Sequence, residues 1–501
     1  MGRYRTYKAS IPVVLTLVTA GMSLADSLRD IHLDVTPRTK AEAAWVAKMT
    51  ALTQDFSVPE TSEQNPGGDA TILARNDRDA FSQPSANLSF EQELDFKDGN
   101  ELFRKVWTPS DGLGPLFNAR SCQNCHIRDG RGHAPNGLDD TAVSMFLRVS
   151  IPGGNAIAGI EAYIATTAEP TYGNQLQDFA LPGYDDEHRL QITYQTREVY
   201  LSDGEVVQLR APTYIVADPG YGPLHKDARL SPRVAPQMIG LGLLEAIPAA
   251  DILAATDPDD ADGNGISGRA NIVWSPEFDQ PMLGRFGLKD GSPTVYHQSA
   301  GAFAGDMGLS NPLFPDPWGD CTLRQTKCRA VPHEGGDPQG TEIDEKRMDL
   351  IAFYSRNLAV PERRFLDDRQ VLRGKELFYH AGCTACHTPK FVTHRLNNRA
   401  EHSLQLIWPY SDMLLHDMGE GLADHRPEAR ASGVEWRTPP LWGIGLTKVV
   451  SDHTQFLHDG RARNLLEAIL WHGGEAESVK QAVIAMSKAD RAALIRFLKS
   501  L

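Results

Sequence analysis

The chain has 501 residues, 41% apolar and 23% charged, an ordinary soluble-globular balance with room for two or three domains. A formal charge of −15 disfavours nucleic-acid binding, which depends on Lys and Arg neutralising phosphates. Six cysteines are present, and their spacing carries most of the information.

The N-terminus reads as an export segment. Arg3, Arg5 and Lys8 make a positive start, residues 11–20 a short apolar run, and Ser23, Leu24 and Ala25 a small-x-small cleavage site. The apolar run is too short to span a membrane comfortably, and no later segment reads as transmembrane. Cleavage near Ala25 removes three positive charges and no negative one, taking the charge from −15 to −18. The expected mature protein is acidic, soluble and periplasmic. Residues 26–89 read as an N-terminal arm. A helical patch over 39–52 is followed by a stretch rich in Pro, Ser, Asn and Gly.

From Phe90 the pattern tightens. A short helix around ELFRKVW leads into GPLFNARSCQNCH, where Cys122, Cys125 and His126 write C-x-x-C-H. The plan repeats later: VLRGKELFY (371–379) leads into Cys383, Cys386 and His387. This is the attachment signature of a c-type haem. Two thiols can close thioethers to the porphyrin vinyl groups, and the next histidine falls under the iron. Zinc half-sites or redox dithiols are the competing reading, but structural zinc gathers four N or S ligands at close spacing.

Each haem motif needs a closing helix. DEKRMDLIAFYSRNLAVP, stopped by Pro361, serves the first, and SKADRAALIRFLKSL, with Ser487 as N-cap, serves the second. The expected fold is mainly α, with two cytochrome c-like domains at 90–360 and 361–501. The first carries a large β-containing insertion at about 133–290. Within it, residues 193–201 and 205–209 around Ser202-Asp203-Gly204 read as a hairpin. Cys321 and Cys328, remote from both motifs in an exported chain, are expected to pair as a disulfide. DPDDADGNGIS (257–267) resembles a calcium loop through Asp260, Asp262 and Asn264, although Pro258 stands where an acid is usual. An acidic surface turn is the competing reading.

Electron delivery favours a rigid six-coordinate iron, whereas peroxide cleavage needs an open position and an acid/base group. Candidate sixth ligands for the second haem are Met413, His416, Met418, His458 and His472. For the first haem an open distal face is expected. His133 lies only seven residues beyond His126, so reaching the far face is hard, and Arg128 and Arg131 are placed to meet propionates. Trp436 or Trp442 could lie between the haems, with core packing as the alternative.

Taken together, RVAPQMIGLGLLEAIP (233–248), DGNGISGRAN (262–271), GRFGLKDGSPTVYHQSAGAFAGDMG, LLHDMGEGLAD (414–424), RTPPLWGIGLT and FLHDGRARNLLEAILWHGG give a specific pattern. Over residues 90–501 it resembles the di-haem oxidoreductase branch, often called thiol oxidoreductases, of the bacterial di-haem cytochrome c peroxidase superfamily. The resemblance implies two covalently bound haem c groups, one accepting electrons and one reacting. It puts His472 at the distal ligand of the second haem, with Met418 as the alternative. It also puts Gln298 and Asp306 at the reactive haem, Asp306 standing where Glu is usual. Trp442 replaces the usual Arg of the segment after the second haem. The implied function is peroxidase-like electron transfer. A small cytochrome or cupredoxin would be the donor, and peroxide or an oxidisable protein or thiol the substrate. A non-enzymatic electron carrier and a haem-containing binding protein are the alternatives.

Overall fold

The computed structural model describes residues 28–135, 143–153, 160, 163, 166–331 and 340–501. The export segment read at 1–25 lies outside them. Helix α1 (Lys40–Thr50) opens with a capping box: the Thr39 hydroxyl accepts the Glu42 amide while the Glu42 carboxylate accepts the Thr39 amide. Helix α2 (Phe90–Arg104) starts the same way at Ser89 and leads to the short helix α3 (Cys122–Cys125). Strands β1 (Met145–Pro152), β2 (Arg189–Tyr200), β3 (Val206–Ala217) and β4 (Arg229–Val234) follow. Next come α4 (Val295–Met307), α5 (Glu345–Arg356) and α6 (Arg369–His380). Strands β5 (Leu415–Asp417) and β6 (Glu435–Arg437) precede α7 (Leu465–Trp471) and α8 (Lys488–Leu498), the last capped by Ser487.

The expectation of a mainly α fold is corrected. Helix accounts for only 31% and strand for 18%, the strands lying in many small sheets. The leading and closing helices form where capped, amphipathic runs are expected, and α4 is a further helix that the sequence reading did not mark. The connecting stretches hold most of the 43 glycines and 32 prolines, which do not propagate helix. They pair instead as short antiparallel ladders such as β5–β6.

Two glycines set the helix packing. A Cβ at Gly99 of α2 would stand 2.4 Å from the Leu350 carbonyl of α5, and one at Gly374 of α6 would stand 2.1 Å from the Ala493 carbonyl of α8. Each leading helix therefore crosses its closing helix at a point where no side chain fits. Phe96, Phe103, Phe303 and Tyr354 fill the core around α2, α4 and α5. Phe378, Tyr410, Leu494 and Phe497 fill the core around α6 and α8.

The hairpin is longer than the sequence suggested. β2 and β3 pair from Arg189↔Ala217 to Tyr200↔Val206, closing through Gly204 at φ 86°. It leaves the first sheet and clasps the second unit. Leu201 and Leu209 are buried in the same cluster as Trp471 and Val483, and the Tyr214 hydroxyl donates to Asp459 at 2.6 Å. Cys321 and Cys328 are disulfide-bonded, their Cα atoms 6.2 Å apart. Among the described residues no helix is long and apolar enough to cross a membrane.

Candidate functional site

Both C-x-x-C-H motifs line one cavity of about 860 Å³, within the range of roughly 300–1,000 Å³ common for ligand sites. The four cysteines are unbridged. Burial pushes Cys122 and Cys383 up to about 12, so they stand as thiols. This is compatible with thiols that end as thioethers.

The histidine of each motif is held alike. His126 Nδ1 lies 2.7 Å from the Pro236 carbonyl, and His387 Nδ1 lies 2.8 Å from the Tyr410 carbonyl. A carbonyl only accepts, so Nδ1 carries the proton and Nε2 keeps its lone pair. Burial drives both rings down to about 4, so they are neutral. A neutral imidazole with a carbonyl-fixed Nδ1–H and a cavity-lining position is what an axial iron ligand requires. These residues fit a haem at each motif.

His472 repeats the arrangement. It caps the C-terminus of α7, and its Nδ1 donates to the Ala468 carbonyl at 2.8 Å. It lines the cavity, and burial lowers it below the ordinary histidine range, so the ring is neutral. Met418 also lines the cavity, whereas Met413 is buried in the apolar core. His416 is otherwise engaged. Its Nε2 meets Asp412 at 2.8 Å and its Nδ1 meets Glu475 at 2.6 Å, with Cys386 Sγ 3.5 Å away. Burial lowers His416, but the bonds to Asp412, Cys386 and Glu475 outweigh it and hold the ring at about 12. It is an imidazolium with no lone pair for iron. His458 stacks on Trp436 at 3.9 Å between ring centroids, 11° from parallel. Trp436 lines the cavity, whereas Trp442 lies in the core.

On the first motif's side, α4 brings Gln298 and Asp306 to the cavity wall. Asp306 is near the thiols: its charge contributes, after burial, to the rise of both Cys122 and Cys125. Burial raises Asp306 itself, opposed by Arg148 and by a hydrogen bond from Gln175 Nε2 at 2.8 Å. Gln175, which the sequence reading missed, also donates to Asn118 at 2.5 Å. Its trace in the sequence is slight, one of several polar residues (Asn174, Gln175, Gln177, Asp178) around a two-residue strand. His133 does not line the cavity. Its Nδ1 bonds the Ala134 carbonyl and its ring meets His453 edge-on at 5.4 Å. Arg131 lines the cavity but donates to the carbonyls of Gln455 and Leu457, and Arg128 pairs outside it with Asp79 at 2.6 Å.

The acidic loop brings carboxylates of Asp257, Asp260 and Asp262 within 4.8 Å of one another. Asn264 is turned inward instead, its amide donating to Asp262 at 2.8 Å.

The family described as "Di-haem oxidoreductase, putative peroxidase" matches residues 60–501. No curated protein matches. Among solved structures, the Kuenenia stuttgartiensis hydrazine synthase pressurized with xenon is similar over 40% of this chain and 70% of its own, at 18% identity and a TM-score of 0.22. So low a score bears on neither fold nor function.

Proposed function

Because the chain belongs to the di-haem oxidoreductase family, we propose that it is a periplasmic, peroxidase-like enzyme carrying two covalently attached haem c groups. The observation that carries this reading is the asymmetry of one cavity. Both proximal histidines are held alike, but among the described cavity residues only the second motif has a third carbonyl-fixed histidine, His472.

Cys122, Cys125 and His126 hold the reactive haem, and Cys383, Cys386, His387 and His472 hold the electron-accepting one. When bound, the haems store electrons and present iron to peroxide. The residues do the rest. Fixed Nδ1–H bonds to Pro236 and Tyr410 orient the proximal rings. Buried Asp306, oriented by Gln175, holds a proton to higher pH than an exposed aspartate and moves it between the peroxide oxygens. Gln298 offers an amide along the same helix. Reduction of one peroxide to two waters takes two electrons and two protons. The electrons come singly from a small cytochrome or cupredoxin that meets the acidic surface. The 257–267 loop takes calcium through Asp260 and Asp262, with Asp257 as the third carboxylate.

The test is optical and EPR spectroscopy of purified holoprotein, as isolated and half-reduced, with and without peroxide. One low-spin bis-histidine haem and one high-spin or peroxide-responsive haem are expected. Two low-spin haems indifferent to peroxide would make the protein an electron carrier.

A further inference from the structure

Three arginines of the cavity wall have no task in the function above. Arg148 on β1 and Arg233 on β4 are placed by the ladder, which pairs Phe146 with Arg233 and Arg148 with Ser231. Opposed residues of an antiparallel pair point to the same side, so the two arginines are diagonal neighbours on one face. Arg426 arrives from the second unit, and all three line the cavity. Glu428 sits among them, 2.5 Å from Arg233 Nη2 and 3.0 Å from Arg426 Nη1. Gly291 makes room for it, since a Cβ there would stand 2.1 Å from Glu428 Oε1.

Arg148 differs from its neighbours. Among the described residues its guanidinium makes no ion pair or hydrogen bond, and the buried Nε atoms of Arg148 and Arg426 have no acceptor. Its field still reaches Glu428, Asp306 and Asp320, where it opposes the upward push of burial. A half-buried guanidinium whose Nε is shut away from solvent without an acceptor gains from an anion that meets it. Its planar fork matches a carboxylate in bidentate fashion. Two such groups on one strand face, backed by a third, form a built carboxylate site inside the cavity.

We propose that Arg148, Arg233 and Arg426 bind the propionate carboxylates of the haem held by Cys122 and Cys125. Glu428 fixes two of the guanidinia, and Arg148 supplies the unshared fork. The chain itself points to that haem: β4 ends at Val234, just beyond Arg233, and two residues further lies Pro236, whose carbonyl holds His126. This inference rests on the di-haem reading.

The test uses holoprotein of the Arg148→Gln, Arg148→Lys and Arg128→Gln variants. Haem is counted by pyridine haemochrome, potentials are read by spectroelectrochemistry, and propionate-bending bands by resonance Raman. Losing a cation near iron favours the ferric state. In Arg148→Gln the ferric-to-ferrous ratio of the first haem at fixed potential should therefore rise on the order of tenfold, with a shifted propionate band. Arg148→Lys should restore most of the ratio, and Arg128→Gln, paired with Asp79 outside the cavity, should change nothing. Haem-free Arg148→Gln should unfold about as readily as wild type, because among the described residues Arg148 makes no ion pair or hydrogen bond and loses only a ring contact with Phe146, 5.6 Å away. If Arg148→Gln takes up one haem where Arg148→Lys takes up two, the site is needed for loading and the proposal stands. If Arg148→Gln carries two haems with unchanged ratio and bands, the proposal fails while the di-haem reading survives. A wild-type protein with fewer than two haems sinks the di-haem reading instead. A wild-type potential that responds to added inorganic phosphate, lost in Arg148→Gln, would make this a diffusible-anion site and overturn the propionate assignment.

Discussion

The surroundings of the two C-x-x-C-H motifs are built to one plan and differ on one side only. Each has a leading helix that crosses a closing helix at a glycine, Gly99 in one and Gly374 in the other. Each then places a histidine whose Nδ1 is pinned by a backbone carbonyl. The opposite walls diverge. The second unit ends α7 with His472, a further neutral imidazole fixed in the same way, while α4 offers the first unit Gln298 and Asp306. The proximal half of such a site can thus be duplicated while the distal half alone assigns the task. A ligand that stays bound suits electron storage, and a buried acid suits proton movement.

The sharpest way to break this comparison is His472→Ala. One haem should turn high-spin, or adopt Met418 and gain a weak near-infrared sulfur-to-iron band. An unchanged bis-histidine EPR signal with both haems bound would refute the assignment. Asp306→Asn tests the other wall. Peroxide turnover should fall roughly 10²–10⁴-fold while both haem spectra stay as in wild type. In wild type, turnover should decline on the alkaline side as the raised Asp306 loses its proton. An unaltered pH profile in Asp306→Asn would assign the acid elsewhere.

The shared half makes a symmetric prediction. Gly99→Leu and Gly374→Leu both force a side chain into a helix crossing, and each should cost about 1–3 kcal/mol in denaturant unfolding. A loss in only one unit would show that the two crossings are not equivalent.

The smallest effect belongs to His416, which has no counterpart at the first motif. Its value in the fold, about 12, lies above its ordinary 6.5, so its contribution is complete below 6.5 and declines as pH rises toward 12. The stability difference between wild type and His416→Gln should be larger at about pH 6 than at about pH 9. Thermal unfolding at both pH values checks this, and a difference that grows with pH would contradict the ion triad with Asp412 and Glu475.

Much of the plan is legible in the residues themselves. The C-x-x-C-H motifs, the Ser487 cap and the disulfide pair are local patterns, and local patterns survive folding. The strand content was underread because two- and three-residue ladders such as β5–β6 carry no periodicity to detect. His133 and His416 were open candidates because a histidine's neighbours in space are not its neighbours in sequence. Asp412 is one turn of chain from His416, but Glu475 lies 59 residues away.

The sequence by itself determined the two C-x-x-C-H motifs, the helices that flank them and the acidic character, because motif spacing, capping and charge depend only on residues close along the chain. Only the tertiary structure decided which histidines keep a lone pair, which carbonyl fixes each ring, and that the Nε of Arg148 stands buried without an acceptor. Those properties depend on donors and acceptors brought together across hundreds of residues, and on the burial that makes each unpaired group count.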